Sequence, residues 1–256
     1  QANKKNSDNY WNRATAGYFG RLNYDYDGRY LLEYNMRYDG SSRFVGDKRW
    51  AWFPSVSVGW NIAREQFFEK LSDKVNLLKV RGSWGQLGNT SSNYGSFSDW
   101  YPFYQQQAIS SATGGWLIGG AKPNTASLPS IVSSQLTWET VETWDIGLDW
   151  AALNNRLTGT FDWFSRSTKN MIGPAPILGS ALGTSAPQIN NCDMRSTGWE
   201  LEIAWRDQIG DVKYGARFNL SDSQQKILNY PNQTGSLSSY YNGRMLNEIW
   251  GYTSTG

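Results

Sequence analysis

The chain has 256 residues and a formal net charge of +2, with 18% charged residues, no histidine and one cysteine, Cys192. So small a charge, with no basic stripe, argues against an electrostatic nucleic-acid binder. The absence of histidine excludes Ser-His-Asp and Cys-His hydrolases, including the phospholipases and proteases that rely on it. A lone cysteine also excludes an intrachain disulfide or a cysteine metal cluster.

The charged fraction lies below the roughly 25% of an average soluble chain, whereas Trp (14) and Tyr (15) are in excess. No run of about 18 apolar residues exists, so no transmembrane helix is predicted. A mean hydropathy of −0.59 is still compatible with a barrel whose strands alternate between a lipid face and a polar lumen.

In chain order, Ala16, Tyr18, Gly20, Leu22, Tyr24 and Tyr26 alternate with Gly17, Phe19, Arg21, Asn23 and Asp25. A strand turns successive side chains to opposite faces, so one face is apolar and aromatic and the other largely polar. After Asp27-Gly28, Tyr30, Leu32, Tyr34, Met36 and Tyr38 oppose Glu33, Asn35, Arg37 and Asp39. Pro54, Val56, Val58, Trp60 and Ile62 form a third apolar face, and Leu78, Val80, Gly82 and Trp84 a fourth. Trp144, Ile146, Leu148 and Trp150 follow, then Leu157, Gly159, Phe161 and Trp163. Trp199, Leu201, Ile203 and Trp205 come next, and Tyr214, Ala216, Phe218 and Leu220 complete about eight strands of period two.

The connections alternate in length. Asp27-Gly28, Asn154-Asn155 and the stretch from Asp207 to Asp211 read as tight turns, whereas 39–51, 88–137 and 166–196 read as long loops. Between Ala63 and Leu77, Phe67, Phe68 and Leu71 fall at helical spacing and predict a short helical turn. Short turns at one end and long loops at the other is the asymmetry of an outer-membrane barrel, and aromatics near strand ends fit its girdles. The competing reading is a β-sandwich with an aromatic core.

Asp145 and Asp149 share one side of one strand, about 13 Å of rise apart. That is too far for a retaining glycosidase pair and long for an inverting one, so they read as lumenal carboxylates. Arg21, Arg37, Arg81 and Arg217 are expected to form a polar wall network with Glu33, Asp149, Glu200 and Glu202. No catalytic residue, cofactor or metal ligand is expected.

The block from Arg37 to Phe44 (RYDGSSRF), followed by that from Trp52 to Trp60 (WFPSVSVGW), closely resembles the SusC/RagA family of TonB-linked outer-membrane transporters. Further blocks follow in the family's order, namely Leu78 to Asn89, Leu136-Thr137-Trp138-Glu139, Gly147-Leu148-Asp149, Asn154 to Leu157 and Gly198 to Leu201. Trp199 departs from the small or medium apolar residue usual there.

The resemblance implies an all-β fold, a transmembrane antiparallel β-barrel of which residues 1–256 supply about eight strands. The family's barrel has 22 strands around a plug, and neither plug domain, TonB box nor final strands are visible in this chain. It further implies TonB-dependent active import of a bulky nutrient, a glycan or oligopeptide, across the bacterial outer membrane, with the long loops at the cell surface. The implied partners are a SusD-like surface lipoprotein, TonB through an N-terminal part not contained here, outer-membrane lipid and the substrate itself.

Candidate ligand contacts are the long-loop aromatics Trp100, Tyr101, Phe103, Tyr104 and Trp116, since rings pack against the apolar faces of sugars; the alternative is that they pack the loop against itself or its partner. A passive porin and a secreted all-β carbohydrate-binding module stay open as other functions.

Overall fold

The computed structural model describes residues 12–90, 101–129, 131–177, 179, 181, 183–184 and 186–251. The strands are β1 Thr15–Tyr26, β2 Tyr30–Ser41, β3 Trp50–Asn61, β4 Val75–Asn89, β5 Ile109–Ser110, β6 Thr125–Ala126, β7 Glu139–Ala152, β8 Leu157–Gly173, β9 Ile189–Ile209 and β10 Val212–Asn229. Eight of them form one antiparallel sheet in the order β1-β2-β3-β4-β7-β8-β9-β10, so that β4 pairs across the β5–β6 segment with β7 and every other strand with its neighbour in sequence. The sheet is not closed, and β1 and β10 are its edges. The two-residue strands β5 and β6 form a separate small hairpin within the long β4–β7 connection.

Register makes the alternation of the sequence into a continuous surface. Tyr24, Leu32, Val58, Gly82, Ile146, Trp163 and Trp199 lie in one row across seven strands. The next row runs Tyr26, Tyr30, Trp60, Val80, Leu148, Phe161, Leu201 and Leu220. Slipping any strand by one residue would turn its whole apolar set to the other side.

Rings mark both margins of this face. Tyr18, Tyr38 and Trp52 stand in register near the long-loop end, and Tyr38 stacks on Trp52 with ring centroids 4.3 Å apart. Tyr26, Tyr30 and Trp60 stand in register near the turn end. Eight residues separate Trp52 from Trp60, or about 26 Å along a strand, the scale of an outer-membrane apolar band. Beyond Trp84 and Trp144 the same face becomes polar, where Lys169 pairs with Glu142 at 2.7 Å.

The tight turns have the geometry their residues favour. Asp27 and Gly28 both take positive φ, 55° and 60°, as a type I′ hairpin turn requires. Leu153, Asn154 and Asn155 do so between β7 and β8, and Gly210 between β9 and β10. The predicted helical turn is realised as two 3-10 segments, Ile62–Arg64 and Gln66–Leu71. Phe68 is buried there, while Phe67 and Leu71 are exposed.

The strands outrun the periodicity that reveals them. β9 begins ten residues before Trp199, and β8 continues to Gly173, so the loop read as 166–196 contracts to 174–188. In this extension Asn190, Asn191, Asp193, Arg195 and Ser196 occupy both faces, and no alternation signals a strand. The β9–β10 turn likewise narrows to Gly210-Asp211.

The compact core sits at the long-loop end. Phe44, Phe53, Leu136 and Trp138 are buried together, with Ala51 and Ile172 packed against them. Trp138 lies 5.4 Å from each of the rings of Phe44 and Phe53, and its Nε1 donates to Arg49 O at 3.1 Å. Buried Glu139 accepts from Asn89 Nδ2 at 2.9 Å and from Ile172 N at 3.0 Å. Four of the blocks that carry the family resemblance therefore converge on one point.

At the turn end, Trp60 Nε1 donates to Glu65 Oε1 at 2.9 Å, and Arg29 lies 3.9 Å away. The indole donor first, then the Tyr30 phenol and the guanidinium charge, hold the Glu65 carboxyl below its ordinary value. Desolvation opposes them.

Trp138→Ala is expected to destabilise the full-length protein by about 3–5 kcal/mol through the cavity it leaves, read as a lower temperature for the heat-modifiable gel shift. Because the folded pKa of Glu65 is depressed, its stabilising contribution is present above the unfolded value near 4.5 and lost as pH falls through the folded one. Thermal unfolding followed between about pH 7 and pH 3 should therefore show a steeper acid loss in the parent than in Glu65→Gln.

Candidate functional site

Two features lie off the apolar face. The first is a charged cluster on the polar face of β4, β7 and β8. Register places Arg81, Gly147, Asp162 and Glu200 in one row. The Arg81 guanidinium pairs with Asp145 at 3.3 Å, Asp149 at 3.2 Å and Asp162 at 2.5 Å. Gly147 makes room for it, since a Cβ there would lie 2.5 Å from both Arg81 Cζ and Asp162 Oδ1.

Asp145 and Asp149 are thus two arms of one clamp around a cation. The expected network is present elsewhere too, with Arg21–Glu33 at 3.9 Å and Arg217–Glu202 at 3.4 Å. Arg37 turns instead to Asp39, at 3.1 Å. Glu200 forms no ion pair among the described residues and joins the network by register alone. No group of three or more metal-ligating side chains is arranged around a metal site among the described residues.

The second feature is a groove of about 770 Å³ at the long-loop end, between the β4–β7 loop and the β8–β9 loop. Its wall includes Tyr104, Gln106, Gln107 and Gln188, with buried Arg43 the only charged residue among the described residues lining it. Gln107 Nε2 donates to Ser127 O at 3.0 Å, and Ser127 N donates to Ala108 O at 3.0 Å, which hold the wall together. Amides, hydroxyls, aliphatic carbons and one guanidinium thus surround the space, chemistry suited to a ligand rich in hydrogen-bonding groups.

The predicted aromatic contacts divide. Tyr101, Phe103 and Tyr104 come together, with centroids 4.7 Å apart for Phe103–Tyr104 and 5.9 Å for Tyr101–Tyr104. Tyr101 Oη donates to Asn12 O at 2.9 Å, so that ring ties the loop to the segment before β1. Tyr104, more than half exposed, is the one of the three that lines the groove. Trp116 is exposed within the β5–β6 connection and joins no ring cluster among the described residues. Trp100 lies outside the described residues.

Sequence reasoning missed Arg43, Gln106, Gln107 and Gln188 as groove residues. Two signals were available, since Arg43 sits within the block from Arg37 to Phe44 and a run of three glutamines directly follows Tyr104.

Arg81→Leu leaves three carboxylates facing one another on a partly wetted wall. A loss of about 1–3 kcal/mol is expected, with Arg81→Lys restoring only part of it because a single ammonium cannot span the three arms. Heat-modifiability of the folded full-length barrel measures both.

A family model described as TonB dependent receptor-like, beta-barrel, matches residues 1–256. The TonB-dependent receptor P3 of Formosa agariphila is 32% identical over 83% of this chain. The TonB-dependent receptor SusC of Bacteroides thetaiotaomicron is 33% identical over 80% of it. The chain spans about a fifth of the length of these relatives, 20% of each. Among solved structures, the RagAB peptide importer in its open-open state superposes with a TM-score of 0.70 at 25% identity, covering 88% of this chain and 23% of that one. The FrpB iron transporter of Neisseria meningitidis, 14% identical with a TM-score of 0.53 over 85% of this chain and 26% of its own, shares the fold. Relatives in this family are outer-membrane β-barrels. By its match over every residue and its likeness to SusC and RagAB, the chain belongs to the TonB-dependent receptor-like β-barrel family, in its SusC/RagA branch.

Proposed function

We propose that this chain is an arc of the wall of a TonB-dependent importer that takes up a bulky nutrient, a glycan or an oligopeptide, across the outer membrane. The observation that carries the reading is the open sheet with one continuous apolar face. Both edge strands present unpaired backbone groups, which lipid does not tolerate. Further strands must continue the wall on each side, and a 22-stranded barrel with a plug in its lumen is the closure that the family resemblance implies. A secreted sugar-binding module has no use for so broad an exposed apolar face, and a passive porin does not account for the likeness to SusC and RagAB.

In this reading the tight turns face the periplasm and the long loops the cell surface. The loop-end groove then opens toward arriving substrate, and a SusD-like lipoprotein covers the mouth. The charged cluster around Arg81 faces the water-filled, plugged lumen, where ion pairs cost less than in a dry interior. Recognition and release are noncovalent, and the inner-membrane proton gradient, delivered through TonB, drives the cycle.

Uptake of labelled oligosaccharide or oligopeptide by cells making the full-length protein should collapse when a protonophore is added or TonB is deleted. Uptake that persists unchanged rejects active import in favour of a pore. Tyr104→Ala is expected to weaken binding of the transported ligand about five- to tenfold, as loss of an aromatic contact does, with the folded barrel retained on unheated gels.

A further inference from the structure

The connection between β3 and β4 carries an apolar feature that the transport reading leaves unused. Tyr30 and Trp60 are register partners on the apolar face, at its turn-end margin. Trp60 Nε1 donates to the Glu65 side chain, which draws the start of the Gln66–Leu71 segment in beneath that face and not beneath the polar one. Arg64 Nη1 donates to Asp27 O at 3.2 Å and pins the same connection to the β1–β2 turn. Phe68 is buried, and Phe67 and Leu71 are 68% and 51% exposed.

We propose that Ile62–Leu71 is a membrane-interfacial foot, with Phe67 and Leu71 entering the headgroup–acyl boundary of the phospholipid leaflet that borders the tight turns. The occupant follows from continuity, since Trp60 and Tyr30 are the ring margin of the lipid-facing surface and the foot hangs from Trp60 by Glu65. Indole and phenol groups favour that depth. The Glu65 carboxylate, where the segment leaves the apolar face, meets the Trp60 indole donor and a nearby arginine and so is not a bare charge there, while Glu69 and Lys70 are exposed between and beside Phe67 and Leu71 and keep to the water side of the interface. A short amphipathic segment lying in the interface plane is stabilised by such apolar insertion. The foot sets the height at which this part of the wall sits in the bilayer. It rests on the membrane reading of the sheet.

Nitroxide accessibility tests it in the full-length protein, reconstituted in phosphatidylethanolamine–phosphatidylglycerol bilayers with Cys192→Ala and one label at a time. Labels at Phe67→Cys and Leu71→Cys are compared with Val58→Cys, in the middle of the apolar face, and Asp73→Cys, on the exposed turn just beyond the foot. The foot predicts that the oxygen-to-nickel-chelate accessibility ratio at 67 and 71 shifts away from that of Asp73 toward that of Val58. Ratios at both positions equal to that of Asp73 overturn it, because the segment then faces water. Shielding of both labels from both reagents also overturns it, because protein then covers them. Should Val58 itself match Asp73, the membrane reading of the sheet fails and the foot with it, whereas a lipid-exposed Val58 beside water-exposed 67 and 71 rejects the foot alone.

Discussion

Hydrocarbon offers no hydrogen bonds, so every N–H and C=O of a strand bordered by lipid must be met by the strand beside it. The rest of this structure depends on that ladder. Pairing each strand of the sheet with the next one lets tight turns close one end of β1–β2, β7–β8 and β9–β10, and the two 3-10 segments close that end of β3–β4; the positive φ of Asp27, Gly28 and Gly210 serves the tight closures. The ladder also transmits register. Once Tyr30 faces Trp60 and Val80 faces Leu148, a face that is apolar on one strand is apolar on the next.

Away from the lipid the same sheet has to organise polar groups. On the opposite face, Arg81 gathers carboxylates from two neighbouring strands, and the missing side chain of Gly147 provides the space. The result is a wall that is charged yet internally paired, suited to a wet lumen. At the long-loop end the strands rise past the apolar band, and their stability there comes from Trp138 and its neighbours and from the buried carboxylate of Glu139. That core joins the β2–β3 loop, β3, the end of the β4–β7 loop and β8, and so it anchors the loops that shape the groove.

The loop aromatics show how one residue type serves different ends. Tyr101 and Phe103 are partly buried in the ring cluster and hold the loop to itself and to Asn12. Tyr104, in the same cluster, also opens onto the groove. Composition treats the three alike, because a ring available for a ligand and a ring spent on packing have the same sequence signature.

The sequence by itself determined the antiparallel strands, their faces, the tight turns and the family, because side-chain alternation and turn residues are local properties readable within a few positions. Residues such as Tyr24, Leu32 and Ile146 announced the apolar face without any knowledge of pairing. Tertiary structure alone decided the rest. The upper halves of β8 and β9 are strand because their neighbours extend the ladder, although Asn190 to Ser196 show no periodicity. The convergence of Phe44, Phe53 and Trp138, the capture of Asp145, Asp149 and Asp162 by one arginine, and the placing of Tyr104 and Gln188 on one groove join residues tens of positions apart. Such contacts are set by register and by the path of long loops, and no local pattern encodes them.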